Sequence, residues 1–168
     1  PASVAVARSI LRRATPLAPR RATLTDAVTP DSGRAIDQVV ATYFPRPGSY
    51  TGEDVIELSG HGSPVLLRQI VSAAVVAGAR LAEPGEFTFR AYLNGRVDLV
   101  QAEAVADLVD AVTPLQARAA FDQLEGTITN AVAEIDREVF DLIARLEASL
   151  DFPDEGYHFV DALSVGTE

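Results

Sequence analysis

From Leu124 to Leu150 the chain places an apolar residue at every third or fourth position: Leu124, Ile128, Val132, Ile135, Val139, Leu142, Leu146 and Leu150. That spacing makes one stripe of a helix apolar and leaves the rest of its surface to the acids and arginines in between. A helix running through the stretch would be roughly 40 Å long at 1.5 Å per residue, too long to sit inside the core of a small domain. Its stripe has to be covered by another helix, in this chain or outside it. With 168 residues in all, this constraint divides the chain. The expectation is an α+β domain over residues 1–112, with helices packed on a small mixed sheet, followed over 113–168 by the long helices of a helical domain.

The first part reads as a series of short elements. Ser3 to Arg13 has apolar residues at helical spacing, with Arg12 and Arg13 suited to a helix C-terminus. Ala22 to Val28 and Ala35 to Phe44 are β-rich runs flanking Thr29-Pro30-Asp31-Ser32-Gly33, a turn composition, so a hairpin is expected. Val55 to Leu58 is a short strand. Ser59-Gly60-His61-Gly62-Ser63-Pro64 then leads into a helix, with Ser63 as N-cap and Pro64 at the first helical position. That helix should reach about Ala77, with Gly78 just past its end, and Ala79 to Ala82 is expected to form one more strand.

The stretch from Glu83 to Asp110 is dense in turns and caps. Pro84-Gly85 is a turn, Phe87 to Leu93 a short helix, and Asn94-Gly95 its stop, both residues tolerating positive φ. Asp98 with Gln101 forms a capping-box pattern opening a helix to about Val112, and Thr113-Pro114-Leu115-Gln116 repeats the device. Asp151-Phe152-Pro153-Asp154-Glu155 should break the long helix, and the tail after Gly156 has no period.

Composition narrows the function. A formal charge of −10 argues against a general nucleic-acid-binding surface, although the first twenty-one residues are locally basic through Arg8, Arg12, Arg13, Arg20 and Arg21. The absence of Cys removes disulfides, thiolate metal sites and a Cys nucleophile, and fits a reducing, cytoplasmic setting. No run of about eighteen apolar residues spans a membrane, and no signal peptide is recognisable. Beginning Pro1-Ala2-Ser3 and ending Gly166-Thr167-Glu168, the chain reads as a fragment of something longer.

A P-loop is missing, and Gly60-His61-Gly62 lacks the third glycine of a dinucleotide site. Three residues stand out. Glu57 interrupts an otherwise apolar strand and shares a face with Val55 rather than with Ile56 and Leu58. It is either a solvent-facing carboxylate or one at a pocket mouth, able to accept two N–H donors from a planar heterocycle. Arg96, in the Asn94-Gly95-Arg96 turn, is either an exposed turn arginine or a donor to a ligand carboxylate or carbonyl. His61 lies between a strand and a helix N-terminus, where free N–H groups can hold an anion. It is a turn-stabilising polar residue, a ligand contact or a general base. With no second His at ligand spacing, no metal site is expected, and His158 in the acidic tail carries no signal.

Taken together, Ser49-Tyr50-Thr51-Gly52-Glu53-Asp54-Val55-Ile56-Glu57-Leu58, the Gly60-His61-Gly62 loop, Pro84-Gly85-Glu86-Phe87-Thr88, Arg90-Ala91-Tyr92-Leu93-Asn94-Gly95-Arg96, and Asp98-Leu99 with Gln101-Ala102-Glu103-Ala104 closely resemble the N-terminal domain of the tRNA-modification GTPases of the MnmE (TrmE) family. Asp151 to Glu155 is similar to the start of that family's helical domain. The resemblance implies a dimer-forming domain that binds a 5-formyl-tetrahydrofolate-type ligand and is related to the glycine-cleavage T-protein. It carries the family's folate-contacting Glu onto Glu57 and its basic turn contact onto Arg96; His61 is added as a cofactor-binding candidate from its place in the Gly60-His61-Gly62 loop. It implies that the complete protein works with the flavoprotein MnmG (GidA) on wobble uridine 34 of tRNA. GTP hydrolysis, with Mg and K, would belong to a G domain absent from this chain, which is thus expected to have no GTPase activity and no catalytic residue of its own. The family's opening strand, with a folate-contacting Arg, is not matched before Pro1, and Ser63 stands where the family usually has Gly. Two other readings compete: a purely structural dimerisation module, and a T-protein-like folate-dependent aminomethyltransferase, for which no catalytic acid is evident.

Overall fold

The computed structural model describes residues 2–151. The elements are α1 (Ala2–Ile10), β1 (Thr23–Val28), β2 (Ala35–Phe44), β3 (Val55–Ser59), α2 (Pro64–Val76), α3 (Glu86–Leu93), α4 (Leu99–Asp110), α5 (Pro114–Leu124) and α6 (Thr127–Asp151). They fall into two compact units, divided between Ala102 and Glu103.

In the first unit the strands make an antiparallel sheet in the order β1-β2-β3. The expected hairpin is present, closed by Thr29 N–H to Arg34 O and Gly33 N–H to Thr29 O. Parallel pairing in this α+β unit is a single bridge, Pro19 with Tyr43. Because side chains alternate along a strand, the inner face is set by Ala27, Val39 and Ala41, joined by Ile56 and Leu58. Against it pack Ala7, Ile10 and Leu11 from the N-terminal segment and Ile70 and Ala73 from α2. Val39 is completely buried, and Ala27 nearly so. Many of these side chains are small, which lets the helices approach the sheet closely.

Two expectations fail here. Helix α1 stops at Ile10 rather than Arg13, because Leu11 bridges Ala27 and the Arg12 N–H donates to Asp26 O. Backbone groups committed to a strand edge cannot also continue a helix. Ala79 to Ala82 forms no strand. Helix α2 ends in a left-handed closure, with Gly78 at φ 102°, its N–H on Val75 O and the Ala79 N–H on Ala74 O. The chain then follows the Arg80 side chain toward Glu86 rather than a neighbouring strand. Ser63 occupies the N-cap position of α2 with Pro64 first in the helix, but its side chain makes no capping bond.

In the second unit α5 opens at Thr113, whose hydroxyl accepts the Gln116 N–H while Gln116 Oε1 accepts the Thr113 N–H. Thr113→Ala is expected to cost about 1 kcal/mol, read as a lower urea midpoint of helix melting by far-UV circular dichroism. The long periodic stretch is not one helix. Gly126, at φ 87°, terminates α5 in the left-handed region and α6 starts afresh. None of the α6 residues is buried: Val132, Ile135, Leu142 and Leu146 all remain at least one-third exposed. The helix break expected after Asp151 and the aperiodic tail lie outside the described residues.

Candidate ligand site

The 49–54 loop, between β2 and β3, is the structural hub of the first unit. Ser49 and Thr51 are almost fully buried. Ser49 Oγ donates to Glu53 O, and the Glu53 N–H reaches Thr51 Oγ1 at 3.3 Å. Asp54 Oδ1 accepts from Tyr43 Oη at 2.9 Å and from the Arg46 N–H at 3.1 Å, while Ser3 Oγ of α1 donates to Asp54 O at 2.7 Å. The Arg46 N–H and the Tyr43 hydroxyl favour ionised Asp54 and lower its pKa; the same bond raises that of Tyr43.

Helix α3 and its following turn dock on this loop. Tyr50 Oη and Thr88 Oγ1 are 3.0 Å apart, and Asn94 Nδ2 donates to Thr51 O at 2.7 Å. Gly52 lies at φ 75°, and a Cβ built there would stand 3.1 Å from Asn94 Cβ and 3.2 Å from Arg96 Cγ. Glycine therefore provides both the backbone shape and the space against which Arg96 rests.

A charge network fixes the other side of α3. Glu86 takes two bonds from Arg80, at 2.6 and 2.8 Å, two from Arg90, and the Glu83 N–H at 2.8 Å. Arg90 continues to Glu53 Oε2 at 2.8 Å. Hydrogen bonds from Arg80, then from the Glu83 N–H and Arg90, hold the Glu86 carboxyl at about 2. These residues, with Phe89 and Leu93, line a cavity of about 610 Å³.

Glu57 is exposed on β3 opposite Thr42, on the face away from Ile56, Leu58 and the core, as strand alternation requires. Among the described residues neither its carboxylate nor the exposed Arg96 guanidinium has a hydrogen-bond or ion-pair partner. Arg96 is brought against the loop that feeds β3, which carries Glu57. His61 is placed differently. Its N–H and Nδ1 both contact Asp37, at 2.9 and 2.7 Å, and Asp37 has the parity of Val39 on the inner face. The Asp37 carboxylate is 5 % exposed, the His61 ring 73 %. The His61 backbone N–H, then its ring, lower the Asp37 pKa. Gly60 permits this approach, since a Cβ there would lie 2.8 Å from Asp37 Oδ2. Glu57 and the Asp37–His61 pair thus occupy opposite faces of the sheet.

Sequence reasoning missed Asp37, Glu53, Arg80, Glu86 and Arg90 as organising residues. Asp37 alone had a local signal, an acid at the parity of Val39 and Ala41 in an apolar strand.

The comparisons agree with this layout. The family model described as "GTP-binding protein TrmE N-terminus" matches residues 1–96, and the one described as "MnmE helical domain" matches 99–167. The chain is 49% identical over 147 residues to the tRNA modification GTPase MnmE of Dechloromonas aromatica, covering 88% of this chain and 33% of that protein. To the protein of the same name from Laribacter hongkongensis it is 51% identical over 137 residues, covering 82% and 30%. To that of Cupriavidus necator it is 46% identical over 160 residues, covering 93% and 33%. The chain spans about a third of the length of the curated relatives it matches. A three-stranded sheet with packed helices, followed by long helices and matched in sequence through both parts, leads to one assignment: the chain belongs to the MnmE (TrmE) family, comprising its N-terminal domain and part of its helical domain.

Proposed function

We propose that this chain is the folate-binding, dimer-forming part of a tRNA-modification GTPase, with domains over 1–112 and 113–168. The observation that carries the reading is the pairing of two unengaged charges on one scaffold. The Glu57 carboxylate stands free on β3, and the Arg96 guanidinium lies against Gly52 in the loop leading into that strand. A carboxylate open to two N–H donors suits the amino-pyrimidine edge of a pterin, and a free guanidinium suits a ring carbonyl or carboxylate. The residues therefore fit a 5-formyl-tetrahydrofolate-type ligand, which when bound supplies a one-carbon group. The protein's part is to bind and orient it: Glu57 and Arg96 fix its position, whereas His61, tied to Asp37 on the other face of the sheet, keeps the 59–63 turn in shape.

In this reading the chain is not itself a catalyst. GTP hydrolysis with Mg and K belongs to a G domain, and the complete homodimeric protein acts in the cytoplasm with MnmG on wobble uridine 34 of tRNA. Among the described residues no helix is long and apolar enough to cross a membrane. Isothermal titration of the chain with 5-formyl-tetrahydrofolate is the test. Binding is expected, and Glu57→Ala should weaken it about a hundredfold, the loss of a charge-assisted double hydrogen bond. Full binding by Glu57→Ala, or no heat from the chain extended by the family's first strand, sinks the reading.

The open apolar stripe of α6 favours the alternative of a purely structural association module. Ile135→Asp with Leu142→Asp separates the two: helical association should be lost while folate binding persists. If wild type associates but binds no folate, the structural module stands instead.

A further inference from the structure

The chain's negative charge is not evenly distributed. Up to Ala102 there are eleven arginines against nine acidic residues; beyond it there are three against fifteen. Within the first unit the imbalance is sharper still, because residues 1–25 contain five arginines and no Asp or Glu. Every cation of the chain other than His is Arg, the side chain whose planar fork pairs two N–H groups with a phosphate.

The fold gathers these arginines around Arg13, which lies on the wall of three adjoining cavities. It shares one of about 550 Å³ with Arg8, one of about 420 Å³ with Arg12, and one of about 500 Å³ with Arg21. Arg13 is held by neutral oxygens only, Nε on Thr15 O and Nη2 on Thr15 Oγ1, both at 3.2 Å. Such a tether orients the guanidinium without neutralising it. Arg20 is held in the same way by the Gly48 carbonyl. Arg12 is partly compensated by Asp26 at 3.2 Å. Among the described residues, Arg8, Arg13, Arg20 and Arg21 have no carboxylate within ion-pair distance.

We propose that the Arg8–Arg21 strip is a binding surface for the phosphate backbone of a structured RNA. The choice of tRNA as that RNA rests on the tRNA-modification reading above; the anion chemistry does not. Spaced guanidiniums with unpaired charge, converging from three cavities on one residue, suit a run of phosphates. The strip reads no base and so adds affinity and orientation rather than sequence choice.

The test is fluorescence anisotropy of a labelled tRNA transcript with the 168-residue chain, from about 50 to about 200 mM salt. Four uncompensated arginines predict a log–log salt slope of about −3. Arg13→Glu with Arg21→Glu should weaken binding at least tenfold and roughly halve the slope, whereas Arg68→Glu, on α2, should change affinity less than twofold. Circular dichroism of the double variant should match wild type, since both sites are at the surface. Equal affinity of the double variant and wild type, or no tRNA binding at low salt, overturns the strip. So does salt-sensitive self-association without tRNA binding, which would assign it to the acidic second unit of another copy. Titration of the same double variant with 5-formyl-tetrahydrofolate keeps the two readings apart: folate binding retained with tRNA binding lost supports both, and tRNA binding with no folate binding leaves the strip standing alone.

Discussion

Gly52→Val is expected to destabilise the first unit by about 3 kcal/mol, the sum of a backbone and a packing cost. Position 52 lies at φ 75°, where an L residue is strained, and a β-branched one most of all. The new side chain would also start 3.1 Å from Asn94 Cβ and 3.2 Å from Arg96 Cγ, so the 94–96 turn must move. Moving it breaks the 2.7 Å bond from Asn94 to Thr51 O and displaces Arg96. Folate affinity should therefore fall along with stability. Gly62→Ala is the control, because nothing lies within 4 Å of a Cβ there and no positive φ has to be kept; a change within about 0.5 kcal/mol is expected. Urea unfolding followed by tyrosine fluorescence reports mainly on the right unit, since three of the four tyrosines, Tyr43, Tyr50 and Tyr92, lie before Ala102. Coincident midpoints for the two variants would show that Gly52 is not a constrained position.

What the sequence revealed and what it concealed follow from the range of the interactions. The hairpin was legible because Pro30-Asp31-Ser32-Gly33 separates two β-rich runs, and the Asp98 and Thr113 caps because a capping box closes within three residues. The end of α1 was not, since the partner that takes its last backbone groups is β1, fourteen residues on. Gly126 was overlooked for a different reason. Leu124 and Ile128 keep a four-residue step across it, so a left-handed helix end left the periodicity undisturbed. At the site, the face of Glu57 followed from strand alternation alone. The Asp37–His61 pair spans 24 residues and the Arg90–Glu53 bond 37, and no local pattern announces a contact at that separation. The pairing of Gly52 with Arg96 is likewise tertiary: each was visible as a turn residue, and neither pointed to the other.

The network around Glu86 leads to a pH-dependent result. Its carboxyl sits at about 2 against an ordinary 4.5, so the folded state binds its proton more weakly than the unfolded state does. The contribution is therefore complete above about 4.5 and is lost as pH falls toward 2. Glu86→Gln keeps the shape but removes the charge. Arg80 then loses its carboxylate partner, Arg90 retains only Glu53, and the Glu83 N–H donates to a neutral amide oxygen, a weaker bond. At pH 7 the variant should melt a few degrees below wild type, a modest effect because Arg80 is largely exposed and solvent screens its share. The difference should shrink through the acid range and be small near pH 2, where wild-type Glu86 is itself about half protonated. Asp31, Asp37 and Asp54 also have lowered pKa values, but they are common to both proteins and cancel in the difference. Melting curves at pH 7, 4.5 and 2 decide the matter. A gap that stays constant with pH would mean that Glu86 acts through packing rather than through its charge, and that the Arg80–Glu86–Arg90 cluster does not hold α3 on the 49–54 loop electrostatically.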